Sequence, residues 1–91
     1  MGNEITGALT QSVVTVSTSA TAIPTTNAEG RRTLLLYNNG STVVYLGNSS
    51  VTTADGFPLK AGEAQGFDVG VVPIYGIVAE GTAEVRVLEG A

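Results

Sequence analysis

The residue types on which most enzyme chemistry depends are scarce in this chain. It has no histidine and no cysteine, and Lys60 is its single lysine. The many serines and threonines therefore have almost no base to activate them as nucleophiles. A Ser–Lys pair built on Lys60 is the one arrangement left, and Lys60 stands beside turn residues, where a solvated charge is the simpler reading. Paired carboxylates are the other acid–base option, because Asp55, Glu63 and Asp68 lie close enough in sequence to meet across a loop. Asp55-Gly56 reads as turn chemistry, and Glu63 and Asp68 as surface charge. The same three could ligate Ca²⁺ with backbone carbonyls, but the spaced Asp/Asn loop of calcium-binding hands is missing. Without thiolate or imidazole the soft metal sites go as well. No cofactor and no metal are expected, and the chain reads as a structural or binding protein, not an enzyme.

Three weaker patterns point the same way. Gly62, Gly66, Gly70 and Gly76 form no phosphate cradle, since no helix follows to present its N-terminus, and they read as bends and bulges. Asn39-Gly40-Ser41 and Asn48-Ser49-Ser50 match the glycosylation acceptor by letter but come with no secretory signal. Tyr37, Tyr45 and Tyr75 could stack on a sugar, yet Tyr37 and Tyr45 are expected on opposite faces of one hairpin, and strand tyrosines are commonly core residues with a hydrated hydroxyl.

Composition narrows the partners. The net charge is −4 with an isoelectric point near 4.4, and phosphate neutralisation needs a Lys/Arg-rich surface, so nucleic acid is not an expected partner. Charged residues make up 13% of the chain, about half the usual ~25%. A surface so poor in charge suggests one that is covered. No apolar run approaches the ~20 residues of a membrane span, and residues 1–9 show no basic start followed by an apolar stretch. No membrane partner is expected, and the anticipated compartment is a cytoplasm.

The elements that would position any site are strands. Residues 1–9 contain two glycines and no periodic apolar pattern, and read as an extended arm. Residues 10–26 have β-branched strand composition, with Val14 and Val16 on one side of the pleat and Val13 and Thr15 on the other; Pro24 should close a second short strand. The strongest local signal is Thr33-Leu34-Leu35-Leu36-Tyr37-Asn38, then Asn39-Gly40, then Ser41-Thr42-Val43-Val44-Tyr45-Leu46. Asn-Gly between apolar runs predicts a type I′ hairpin with Leu36 facing Val43 and Leu34 facing Tyr45 on one side, and Leu35 facing Val44 on the other. Both faces of that hairpin are apolar, so something must cover the second.

Residues 48–62 are punctuated by turn signals, with short strands expected around Val51 and over 57–59, and residues 65–69 follow as a strand. A second hairpin is expected from 73–78 and 82–88. Ala83, Val85 and Val87 alternate with Glu84 and Arg86 and should point inward. A three-residue loop, Ala79-Glu80-Gly81, with Gly81 left-handed, would put Tyr75 and Ile77 in the core and leave Ile74 and Val78 outward; a two-residue Glu80-Gly81 turn would reverse those pairs. The sum is seven or eight short strands without helical periodicity. That predicts an all-β protein: a small antiparallel β-sandwich or jelly roll over residues 10–91, with an N-terminal arm over 1–9. One domain of 91 residues is small enough that oligomerisation or docking is its favoured supplement.

Over residues 32–88 the order of features resembles small β-rich virion proteins of tailed bacteriophages, head decoration (cement) proteins above all. The resemblance rests on Leu34-Leu35-Leu36-Tyr37-Asn38-Asn39-Gly40, Val43-Val44-Tyr45-Leu46-Gly47, Gly56-Phe57-Pro58-Leu59, Ala61-Gly62-Glu63 and Ala83-Glu84-Val85-Arg86-Val87. These are turn and strand patterns, not ligand sets. The resemblance implies a protein that binds the outside of a capsid shell, with the major capsid protein as partner, typically as a homotrimer, in a virion assembled in the host cytoplasm. On that reading the arm, at Gly2, Asn3, Glu4, Ile5 and Leu9, and the outward Ile74 and Val78 would touch the partner. The rival reading is a receptor- or glycan-binding module of a fibre or baseplate, using loops around 48–56. A cellular adhesion or scaffold domain is a third.

Overall fold

A computed structural model describes residues 9–25, 30–68 and 70–90, and these are all strand, turn and connection. Eight strands follow in chain order: β1 (Leu9–Val16), β2 (Thr21–Ile23), β3 (Thr33–Asn38), β4 (Val44–Gly47), β5 (Phe57–Leu59), β6 (Ala64–Phe67), β7 (Ile74–Ile77) and β8 (Ala83–Gly90). They form two four-stranded antiparallel sheets, β1-β8-β3-β6 and β2-β7-β4-β5. The pairings are nested: β4 with β5, β3 with β6, β2 with β7, β1 with β8. One long hairpin has in effect been wrapped on itself, which is the arrangement of an eight-stranded jelly roll.

Period-two patterning decides which side of each strand is buried. From the first sheet Val14, Val16, Leu34, Leu36, Val85 and Val87 point inward, and from the second Ile23, Val44, Leu46, Leu59 and Ile74 meet them. Each such side chain contributes about 1.5–3 kcal/mol by leaving water. Gly76 makes room on the inner side of β7 for side chains from the strands beside it. A Cβ at Gly76 would sit 2.5 Å from Ile23 Cδ1 and 3.0 Å from Val44 Cγ1. That glycine is neither bend nor bulge; it is a packing position inside β7.

Both expected hairpins are corrected by the topology. β3 and β4 lie in different sheets, so 39–43 carries the chain across the sandwich, and neither Asn39 nor Gly40 has the positive φ of a type I′ turn. The reason is Asn38. Fully buried, its amide donates to the carbonyls of Thr42 and Leu59 at 2.8 Å each, and its Oδ1 accepts from Gly40 N–H at 2.9 Å. That side chain steers the backbone off β3. Gly40 is needed for closeness, since a Cβ there would lie 2.8 Å from that of Ala83.

β7 and β8 likewise belong to opposite sheets. Gly81 does take the left-handed position, with φ at 71°. The strand before it is turned the other way from the three-residue-loop expectation. Ile74 and Val78 are buried, at 9% and 1% exposure, and Tyr75 and Ile77 are half-buried on the outer side. Because 78–82 bridges the sheets, the cross-strand counting that assumed a hairpin does not apply; Val78 N–H is held instead by the Ser17 carbonyl at 3.0 Å.

A buried ion pair ties one end of the sandwich together. Glu89 continues the inward register of Val85 and Val87, and its Oε2 lies 3.4 Å from Arg31 Nη1 with both side chains shielded from water. Arg31 also donates to the carbonyls of Gly70 and Val72, so a charge-assisted bond anchors the connection between β6 and β7.

Candidate docking face on the outer side of the first sheet

On the outer side of β1-β8-β3-β6 the register sets side chains in rows. Gln11, Leu88, Leu35 and Gly66 form one row, and Val13, Arg86, Tyr37 and Ala64 the next. Leu9 lies beyond, across from Gly90 and Thr33. Leu9, Val13 and Leu35 are 57%, 52% and 43% exposed, and Tyr37 and Leu88 nearly as much. Isolated exposed apolar residues are ordinary, but five neighbours on one face are a patch. Two shallow troughs run along the face: one of about 410 Å³ between Val13, Leu35, Tyr37 and Leu88, and one of about 440 Å³ where Gly66 and Gly90 leave a gap.

Charge enters this face at three places: Arg86 between Val13 and Tyr37, Glu84 one row on, and Asp68 beside the second trough. Arg86 Nη2 lies 3.2 Å from Glu84 Oε1, and that same oxygen accepts from the Asn39 amide at 2.8 Å. The Asn39 hydrogen bond, then Arg86, holds the Glu84 carboxyl below its usual range. An exposed pair of this kind adds little stability. Its consequence is local: Arg86 and Glu84 neutralise each other within the patch, and Asp68 stands at its β6 border.

The second sheet presents a different outer side. Tyr45 and Tyr75 both face outward there, on adjacent strands, with Ile77 and Pro58 beside them. The sequence reading separated Tyr37 from Tyr45 by opposite faces of one hairpin; they are in fact separated by sheet, and Tyr75 joins Tyr45. Close to them lies the β4–β5 connection, whose polar groups satisfy one another. Asp55 Oδ1 accepts from both Thr52 N–H at 2.8 Å and Thr52 Oγ1 at 2.9 Å, and Asn48 Oδ1 accepts from Ser50 N–H at 2.8 Å. The two Thr52 hydrogen bonds lower the Asp55 pKa.

The three carboxylates considered for catalysis stand apart, with Asp68 beside the trough at Gly66. Asp55 caps its own loop, and Glu63 accepts from Lys60 N–H at 2.8 Å across a turn. Among the described residues no three acidic side chains gather into a metal-binding group. Of the residues expected to touch a partner, Leu9 stands on the apolar face, Ile74 and Val78 are inside the core, and Gly2, Asn3, Glu4 and Ile5 lie outside the described residues. Val13, Leu35, Tyr37 and Leu88 were not singled out as contacts. For Leu35 and Tyr37 the signal is the apolar second side of β3, which the sequence shows to need a cover. No family model, curated protein or solved structure matches the chain.

Proposed function

We propose that this chain is a non-catalytic assembly protein that docks on another protein through the outer face of β1-β8-β3-β6. The single observation behind this reading is the contiguous apolar face of Leu9, Val13, Leu35, Tyr37 and Leu88, within which Arg86 is paired with Glu84, on a domain with few charges. Uncharged aromatic and aliphatic surface is what the buried centre of a protein interface requires. The resemblance to head decoration proteins supplies the particular partner: the outer surface of a capsid shell, with the major capsid protein beneath the face. Weak contacts repeated by symmetry then sum to stable attachment.

The test is co-sedimentation with shells of the cognate major capsid protein. Leu35 is central, and Leu35→Lys should weaken attachment by at least about tenfold, as loss of an anchor worth ~2 kcal/mol does. Unchanged occupancy by a folded variant would remove the face from the interface. A second reading, the glycan-binding module, is favoured by Tyr45 and Tyr75 standing together beside the loop 48–56. Tyr75→Ala should abolish sugar affinity under that reading and leave shell attachment intact under the first.

A further inference from the structure

The four sheet edges of this sandwich are not alike. β2 and β5 are three residues long, β5 contains Pro58, and β6 has four residues including Gly66. Short length and proline are the devices by which proteins keep edges from pairing with other chains. β1 has neither. Its eight residues, Leu-Thr-Gln-Ser-Val-Val-Thr-Val, include no charge, no proline and no glycine, and among the described residues all eight pair with β8 on one side only.

We infer that β1 pairs antiparallel with β1 of a second copy across a two-fold axis, joining two four-stranded sheets into one of eight. Three observations favour a second copy over a foreign strand. A strand without charge meets its own image without like-charge repulsion. A two-fold near the strand centre places Ser12 opposite Ser12 of the partner copy, and the Ser12 hydroxyl is buried with no hydrogen-bond partner in the single chain. Cross-strand hydroxyl pairs of this kind are a recognised sheet contact, and a Ser12 rotamer turned toward the strand edge would let the two hydroxyls satisfy each other. Finally, a two-fold perpendicular to the sheet leaves both outer faces on the same side, with Val13 of each copy facing Gln11 of the other, so the two docking patches join into one. The inference stands whether or not that face binds a capsid.

The experiment uses the full chain. Because it has no cysteine, Ser12→Cys introduces its only thiol, and directly opposed residues on antiparallel strands come within disulfide reach. Under mild oxidant Ser12→Cys should form covalent dimer at least tenfold faster than Ser49→Cys, whose thiol would sit on an exposed loop. Sedimentation should give a dimer for the unmodified chain. Val13→Lys, on the edge, should raise the dimer dissociation constant at least tenfold, and Leu35→Lys, central to the face, should leave it unchanged. A monomer at concentrations up to about 100 μM, a trimer mass, equal cross-linking of the two cysteine variants, or dissociation by Leu35→Lys would each overturn the edge pairing. Val13→Lys keeps the test decisive if Ser12→Cys does not fold. Failure of shell attachment alone leaves these outcomes unaffected, so the two proposals fail separately.

Discussion

Asn38 organises more of this fold than any other polar side chain. It ends β3, sends the backbone toward the opposite sheet and holds the carbonyl of Leu59 on β5. Asn38→Ala would strand two buried carbonyls and the Gly40 N–H, and a buried polar group left without its partner costs about 1–3 kcal/mol. Urea denaturation should show a loss of roughly 3 kcal/mol, a large part of the ~5–14 kcal/mol expected for a chain this long. A loss under about 0.5 kcal/mol, the level of an ordinary surface change, would mean that water replaces the amide and that Asn38 is not the node. The sequence made Asn38-Asn39-Gly40 visible as a turn. It did not reveal which asparagine mattered, because a buried amide is distinguished by partners 4 and 21 positions away. Glu89 is a similar case: alternation along β8 puts it on the inner face, but its cation is 58 positions distant.

Among the elements, strand positions and buried faces were readable, and pairings were not. Val14 and Val16, Leu34 and Leu36, and Val85 and Val87 all point inward as alternation requires. Alternation is a property of one strand, whereas pairing depends on where the chain goes next. Both connections that looked like hairpin turns change sheets, so each inferred cross-strand partner was lost and the inward side of β7 was reversed. The docking face was legible only in outline for the same cause: both sides of β3 read as apolar and the second as needing a cover, but β4 was expected beside β3 where β8 and β6 stand. Among the described strands, β4 and β5 are the one consecutive pair that hydrogen-bond to each other, and their connection is organised by Asp55. Hydrogen bonds from Thr52 stabilise the carboxylate in the folded chain and depress its pKa below the ordinary 3.8. The stabilisation is therefore present above that value and disappears as pH falls through the folded pKa. Asp55→Ala should lower the melting temperature at pH 7, and the gap to the unmodified chain should close in strong acid. A gap that stays constant on acidification would show that the carboxylate charge plays no part.

At the scale of the whole molecule, the nesting of strand pairs orders the folding process. The loop closed by Val16 meeting Ala83 is about sixfold longer than that closed by Leu46 meeting Phe57, and closing it costs roughly 1.5 kcal/mol more in chain entropy. Pairing should begin at β4–β5 and end at β1–β8, with the long-range contacts holding overall refolding to about milliseconds to seconds. Stopped-flow measurements on two core truncations test the order. Leu59 on β5 and Val14 on β1 are both buried against the same core, so Leu59→Ala and Val14→Ala remove comparable kinds of contact at opposite ends of the nest. Leu59→Ala should chiefly slow refolding, and Val14→Ala should chiefly speed unfolding, because a contact missing from the transition state alters only the rate of leaving the native state. Equal slowing of refolding by both would mean that β1 docks early. β1 would then be the strand on which the sandwich is built, and not the late edge left open for a second copy.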